Sequence, residues 1–320
     1  MEDNQLVITY CTERGLKARS QYGYLDTLNK FINFTNRNLT NSLKLYEKEE
    51  EQGVRWKHCT LKNELLSFRN WLYSQFLGST ARTHFQKICT FLRHYEIEIG
   101  HIPKVNNRNV NNYAPLTFND LLTHEELKQI ISNCNGVMKA LITFMVSSGS
   151  ARKEALSLTV EDYLKANNQL INSNNIKEVI MQVNTNQIPM FRLKRFKTNK
   201  FYYTFCTPQA NEYIKQYLIH DRKHLELDSQ LFKINHDYLN TNFRRLNEEL
   251  NLGTVRNMRR CRSHMFRKYN ASTLFNNGMD MADVDCLQGR GKDSTHRAYF
   301  MEDPNLLKRK YEQYVEVLTI

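Results

Sequence analysis

The hydrophobic positions in the first hundred residues recur with the period of a helix. Leucine, isoleucine and phenylalanine repeat every three or four positions in 25–34, and the same spacing returns in 65–72. A third apolar stripe, 85–92, follows a Gly-Ser-Thr sequence in which Ser79 or Thr80 is suited to cap the start of a helix. This third of the chain is therefore predicted to form a small helical bundle.

The periodic pattern is interrupted once, over 106–118. This segment contains several asparagines and a proline and has little hydrophobic periodicity, which is typical of a connector. At 320 residues the chain is long enough for two domains. We therefore predict a helical N-terminal domain over 1–105, a linker over 106–118 and a second domain over 119–320.

The second domain opens with helical signals. Thr123 and Glu126 form a Thr-x-x-Glu capping box, which predicts that a helix begins there. The apolar run 137–148 predicts a buried helix that closes on Gly149. A helical pattern returns at Pro208 and continues to the C-terminus, with breaks at glycines.

Between these helical regions the sequence predicts a small sheet. The runs 179–184, 189–196 and 200–206 are rich in β-branched and aromatic residues, and Thr198 and Asn199 form a tight turn between the last two. The predicted fold class is therefore mainly α with a small antiparallel β-sheet (α+β).

Composition restricts where the protein works. Mean hydropathy is -0.62, and no stretch approaches the roughly 20 apolar residues of a spanning helix. The N-terminus also lacks the pattern of a signal peptide. Seven widely spaced cysteines indicate free thiols in a reducing compartment rather than a zinc site. We expect a cytoplasmic protein that has no membrane contact and needs no metal or other cofactor.

The charge points to a polyanionic partner. The net charge is +12 and the pI is near 9.3, which favours binding to nucleic acid. Basic residues crowd into the predicted hairpin and into the approach to a later helix. The members predicted to contact DNA are Arg192, Lys194, Arg195, Lys200, Arg259, Arg260 and Arg262.

One pair of residues suggests chemistry on phosphate. His264 and Arg267 are three residues apart, so a helix would place the imidazole and the guanidinium side by side. Upstream of this pair, Arg152 follows the apolar helix, and downstream Arg290 lies nine residues before Tyr299. An isolated His-x-x-Arg pair occurs often by chance, whereas an ordered set of basic groups ending in a tyrosine does not.

In these residues the chain resembles the tyrosine recombinase (phage integrase) family, most closely the archaeal integrases. Arg152 matches the family's first arginine, Lys197 its hairpin lysine, and His264 with Arg267 its second box. Tyr299 matches the nucleophile. The resemblance implies a catalytic domain preceded by a helical core-binding domain, the two closing around duplex DNA.

Two positions depart from the family pattern. The family usually has Gly-x-Arg-x-x-Glu, whereas here Arg152 stands only two residues before Glu154. Arg290 occupies a position where the family usually has histidine or tryptophan, and His296 is an alternative for that role. The first departure displaces a phosphate contact by one residue, and the second replaces a proton carrier by a permanent cation.

The resemblance implies a site-specific recombinase or integrase of a mobile element. It would cleave and rejoin double-stranded DNA through a 3′-phosphotyrosyl intermediate, without metal or ATP, and act as a homotetramer on two DNA sites. Two alternatives remain open: relaxation of supercoils by the same residues, and a DNA-binding replication or regulatory protein that has lost catalysis. A metal-dependent nuclease is disfavoured because the sequence has no cluster of carboxylates with ligand spacing.

Overall fold

The computed structural model describes residues 2–106, 111–169, 175–290 and 303–320. The chain forms two compact units, Met1–Pro115 and Leu116–Ile320. The division between them falls inside the segment 106–118 that the sequence predicts as a linker.

The first unit is a bundle of helices with its own apolar core. Its α-helices are α1 (Glu2–Glu13), α2 (Ala18–Thr35), α3 (Leu39–Glu51), α4 (Thr60–Gln75) and α5 (Gly78–His94), with a 3₁₀ turn at Trp56–His58. The predicted stripes pack inward, and the Phe31 and Phe68 rings meet edge to face with centroids 5.1 Å apart. The predicted cap at Ser79 or Thr80 is wrong, because α5 already begins at Gly78 and both residues lie within its first turn.

The second unit is mainly helical with two short hairpins. Its α-helices are α6 (His124–Ser132), α7 (Gly136–Ser148), α8 (Arg152–Ala155), α9 (Val160–Ala166), α10 (Ile176–Met181), α11 (Pro208–Gln216), α12 (His236–Glu249), α13 (Ser263–Asn276), α14 (Met281–Leu287), α15 (Pro304–Glu312) and α16 (Val315–Leu318). The described part of this unit also contains a 3₁₀ turn at Phe118–Asp120 and a π-helical turn at Tyr217–Asp221. This composition confirms the predicted α+β fold class.

Helix α7 forms the centre of the second unit. All but three of its residues are buried, and α11 and α13 pack along it. The predicted capping box is confirmed, since Thr123 Oγ1 accepts from the Glu126 amide and the Glu126 carboxylate accepts from the Thr123 amide. Helix α7 closes on Gly149, as predicted, with φ of 61° in the left-handed region.

The strands differ in part from the prediction. Strands β1 (Met190–Arg195) and β2 (Lys200–Phe205) pair antiparallel as predicted, joined by a turn at 196–199. The predicted strand 179–184 is wrong, because Val179, Ile180 and Val183 bury one face with helical spacing and the run forms part of α10 and the turn after it. Short apolar runs do not distinguish strand from helix by period alone.

A second hairpin lies directly before α13, in a region predicted as helical. Strands β3 (Thr254–Val255) and β4 (Met258–Arg259) enclose a two-residue turn in which Arg256 and Asn257 both have positive φ. That geometry is a type I′ turn, which usually has asparagine and glycine at these positions. The missing glycine explains why the sequence pattern did not indicate it.

Helix α15 packs on its own unit. Leu307 and Tyr311 of α15 are buried among residues of β2, α13 and α14. The Tyr311 hydroxyl donates to the Ser147 carbonyl at 3.0 Å, near the end of α7. Helix α15 therefore packs next to the end of α7.

Candidate active site

A cleft of about 610 Å³ in the second unit collects several of the predicted catalytic residues. Four elements form its walls: the start of α8, the face of α12, the β3–β4 hairpin and the start of α13. Its lining residues include Arg152, Asn240, Asn257, Met258, Arg259, Arg262, Ser263, His264 and Arg267. Arg152, His264 and Arg267, predicted from separate boxes, thus meet in one cavity.

Arg267 lines the base of this cleft, where main-chain acceptors bind its guanidinium. Arg267 is only 6% exposed, and its Nη1 donates to the Gly149 carbonyl at 2.7 Å. Its Nη2 donates to the carbonyl of Gln288. Two main-chain oxygens from loops after α7 and α14 therefore fix the plane of the guanidinium, and its remaining donors stay available to a phosphate.

A buried carboxylate lies beside Arg267. Glu154 accepts a hydrogen bond from the Tyr202 hydroxyl at 2.7 Å. It also forms an ion pair with Arg195, whose Nη1 donates to it at 2.9 Å. It also accepts from the Ala151 amide at 2.9 Å, and Arg267 Nη1 lies 3.8 Å away. Glu154 is 3% exposed, so its charge is compensated by these partners rather than by water.

His264 occupies the first turn of α13, at the mouth of the cleft. Partial burial lowers the pKa of its imidazole below the ordinary value of 6.5, and the nearby cations Lys268, Arg262, Arg267 and Arg290 lower it further. The ring is therefore neutral at physiological pH. A neutral imidazole is able to accept a proton from a nucleophile.

Arg152 begins α8 on the rim of the cleft. Its Nη1 donates to Asn240 Oδ1 of α12 at 3.0 Å. Ala151 stands three residues before Glu154, where the family pattern has its arginine, and it also lines the cleft. The Arg152 side chain still lines the cleft from its shifted position.

The β1–β2 hairpin presents the predicted lysine on its turn. Lys197 is exposed and does not line the cleft. The base of the hairpin is tied to the site, because Arg195 and Tyr202 flank the turn and both contact Glu154. On the other face, Arg192 lies over the Phe201 ring at 4.1 Å. Lys200, the partner of Arg195 in the hairpin register, is exposed.

The remaining catalytic candidates lie beyond α14. Arg290 is exposed, its Nη1 lies 3.3 Å from Asp285 Oδ1, and it lines a separate cavity of about 360 Å³ together with Lys268. It is nevertheless close enough to lower the pKa of His264. Tyr299 and its neighbour His296 lie outside the described residues.

Two of the arginines predicted to contact DNA, Arg195 and Arg260, pair with carboxylates of the protein. Arg260 forms a two-point pair with the Glu126 carboxylate, at 2.5 and 2.8 Å, and donates to main-chain carbonyls of the 3₁₀ turn. Arg195 pairs with Glu154. By contrast Arg259 is exposed at the cleft, and Arg192 and Lys194 are exposed on the hairpin.

Several site residues were not identified from the sequence. Glu154, Asn240, Tyr202 and Gln288 are polar residues within otherwise ordinary helical or strand patterns, and their partners are distant in the chain. Only Glu154 had a signal, because it belongs to the box that contains Arg152. The others became evident only through their contacts.

The second unit matches the model of the phage integrase family over residues 120–305, more than half of the chain. The chain belongs to the phage integrase family. This membership confirms the predicted class of enzyme, a tyrosine-type site-specific DNA recombinase. The closer likeness to archaeal integrases stays a prediction, and no curated protein matches the chain in sequence.

Solved structures show the same fold at low identity. The post-cleavage complex of XerH site-specific recombinase with a palindromic difH substrate is 19% identical, with 96% of this chain and 83% of that chain covered and a TM-score of 0.57. A lambda integrase dimer on a COC′ core site is 12% identical, with 92% and 94% covered and a TM-score of 0.57. The Tn1549 transposon integrase with transposon right end DNA is 14% identical, with 97% and 98% covered and a TM-score of 0.52.

Two further observations concern the described residues alone. No helix among them is long and apolar enough to cross a membrane. Within the same residues, no group of three or more His, Cys, Asp or Glu side chains is arranged to hold a metal ion.

Proposed function

We propose that the cleft is the strand-cleavage site of this recombinase and that Tyr299 is its nucleophile. The observation that carries the proposal is the meeting of Arg152, His264 and Arg267 in one cavity. In the proposed reaction the Tyr299 oxygen attacks the scissile phosphorus, a 3′-phosphotyrosyl bond forms, and the bond to the 5′-oxygen breaks. Rejoining reverses these steps with a 5′-hydroxyl as the attacking group.

The arginines would stabilise the transition state. Attack on a phosphodiester increases the negative charge on its non-bridging oxygens, and fixed guanidinium groups stabilise that charge. Arg267 is suited to this because two carbonyls already hold it. Arg152 would contact the phosphate from the rim, and Arg290 would add positive charge from the neighbouring cavity.

Two groups would move the protons. His264 is neutral at physiological pH because of its lowered pKa, so it would accept the proton of the tyrosine hydroxyl. The departing 5′-oxygen needs a proton, and Lys197 would donate it when the hairpin turn closes on bound DNA. The phosphotyrosyl bond conserves the energy of the broken ester, so neither ATP nor a metal is required.

Both units would contact DNA. We propose that the helical unit binds the core site and that Arg192, Lys194, Lys200, Arg259 and Arg262 contact phosphates around the cleft. Arg195 and Arg260, with their internal partners, would instead stabilise the fold.

We further propose that four protomers assemble on two duplexes. The protein would act in the cytoplasm, on DNA of a mobile element.

The nucleophile is tested with a nicked duplex built from the junction between the element and its host. Wild type should form a covalent protein–DNA adduct in the presence of a chelator, and Tyr299→Phe should form none. The matched control is Tyr22→Phe, which removes a hydroxyl from an exposed tyrosine of the first unit and should leave the adduct unchanged. An adduct of normal yield with Tyr299→Phe would disprove the assignment.

The wild-type protein and the junction duplex also distinguish the recombinase from a non-catalytic DNA-binding protein and from a topoisomerase-like enzyme. Family membership favours the enzyme over a DNA-binding protein without catalysis. Specific binding to the junction without an adduct from wild type would reverse that preference. Relaxation of a supercoiled plasmid that lacks the junction would indicate a topoisomerase-like activity instead.

A further inference from the structure

Behind Arg267 lie two fully buried amides that the proposed mechanism does not use. Asn270 is 1% exposed and Gln288 is 0% exposed. Asn270 lies one turn after Arg267 on α13, and Gln288 directly follows α14, two residues before Arg290. Buried amides of this kind cost free energy unless they are well bonded.

Their hydrogen bonds connect Arg267 to the chain that leads to Arg290. Gln288 Nε2 donates to the Arg267 carbonyl at 3.0 Å, while the Arg267 guanidinium donates back to the Gln288 carbonyl. Gln288 Nε2 also donates to Asn270 Oδ1 at 2.9 Å. The bond is therefore reciprocal, and it fixes the end of α14 relative to the guanidinium.

Asn270 anchors this pair to the end of α7. Its Nδ2 donates to the carbonyls of Val146 and Ser147 at 3.0 and 2.9 Å. The next loop approaches so closely that a Cβ on Gly149 would lie 2.2 Å from Asn270 Oδ1 and 2.7 Å from Gln288 Nε2. The Gly149 carbonyl is itself the second acceptor for Arg267.

The buried pair of Asn270 and Gln288 does not maximise the stability of the core. Gln288 Oε1 is buried and has no hydrogen-bond partner among the described residues, so the amide is only partly satisfied. Apolar side chains of similar volume often replace a buried polar network at little or no cost in stability. What the polar pair provides, and apolar residues would not, is a defined direction for the groups around Arg267.

We propose that Asn270 and Gln288 are positioning residues that set the orientation of the Arg267 guanidinium and the place of the segment leading to Arg290. The inference rests on the proposed function of the cleft, and it deepens that function by assigning roles to two residues that do not touch DNA. Misplacing a catalytic group by about 1 Å commonly costs about 100-fold in rate. A loss of that size is the effect expected here.

The test variant is Gln288→Met, which keeps the side-chain volume and the main-chain carbonyl but removes the amide. Gln216→Met, the same change at an exposed position of α11, is the matched control. The first readout needs no DNA: nitrogen-15 NMR of the arginine side chains, with the Arg267 signals identified by their loss in Arg267→Lys. Wild type and Gln216→Met should show slow rotation of the Arg267 guanidinium, and Gln288→Met should show averaged signals.

The second readout is cleavage of the nicked junction duplex. Gln288→Met should lose about 100-fold in the single-turnover rate with unchanged DNA affinity. The defect should shrink on a duplex whose scissile phosphate is a methylphosphonate, because that neutral group needs less stabilisation by Arg267. If no variant and no wild-type protein forms an adduct, the proposed function fails while the NMR result still decides the positioning role.

A double variant addresses loss of folding. If Gln288→Met does not fold, Asn270→Leu combined with Gln288→Met removes both amides and leaves neither of them unpaired. This protein is expected to unfold below the wild-type temperature, because the Val146 carbonyl loses the Asn270 donor, and still to show the averaged Arg267 signals. Slow rotation of Arg267 with a normal cleavage rate, in whichever variant folds, would overturn the proposal.

Discussion

The strongest energetic prediction concerns Glu154. Replacing it by glutamine keeps the shape of the side chain but removes the charge that faces Arg195 and Arg267. The Glu154 side chain is 4% exposed and that of Arg195 is 20% exposed, so water screens this pair weakly. Removing one partner of a buried pair costs about 3–5 kcal/mol, and glutamine retains some of the hydrogen bonds. We therefore expect a loss of about 3 kcal/mol.

This loss is measurable by thermal unfolding of the full chain, followed by circular dichroism. For a domain of this size 1 kcal/mol corresponds to about 2–4 °C, so Glu154→Gln should lower the Tm of the second unit by about 10 °C. The matched control is Glu161→Gln on α9, which breaks an exposed i,i+4 pair with Lys165. Such pairs contribute about 0.5 kcal/mol, so this Tm should change by less than about 2 °C.

The two outcomes are clearly separated. Equal Tm values for Glu154→Gln and Glu161→Gln would mean that the buried carboxylate does not hold the hairpin and Arg267 together. The idea that Glu154 connects the Lys197 hairpin to the cleft would then be wrong.

Three further predictions follow from single contacts. Gly149→Ala should destabilise by more than Gly253→Ala in urea unfolding: both glycines have positive φ, but only the added methyl at Gly149 meets buried side chains. Equal losses would contradict the packing described there. Arg260→Gln should lower the stability of the fold and leave the salt dependence of DNA binding unchanged, because Arg260 pairs with Glu126. Arg192→Gln should reduce the slope of log affinity against log salt concentration by about 1. A reduced slope for Arg260→Gln would instead indicate that Arg260 contacts DNA. The acid limb of the cleavage rate should lie below pH 6.5, because the pKa of His264 is lowered from that value and protonation removes the acceptor. A rate that already falls with a midpoint at or above pH 6.5 would contradict this assignment of the base.

Local signals in the sequence accounted for much of the fold. The capping box at Thr123 and the closure of α7 at Gly149 were both predicted, because each depends on residues within a few positions of one another. The strand predicted at 179–184 is a helix because packing, rather than intrinsic preference, selects the structure of a short apolar run. The β3–β4 hairpin was missed because Arg256 and Asn257 occupy turn positions that usually hold asparagine and glycine.

The sequence by itself determined the class of protein: the order of Arg152, the His264 and Arg267 pair and Tyr299 along the chain indicated a tyrosine recombinase. Chain order is a one-dimensional property, so no coordinates were needed to recognise it. Only the tertiary structure decided which groups share a cavity and which are occupied elsewhere. Arg260 and Arg267 belong to one basic cluster, yet Arg260 forms an ion pair with Glu126 and Arg267 lines the cleft. The reason is physical: a buried guanidinium takes its role from the acceptors around it, and those acceptors come from distant parts of the chain.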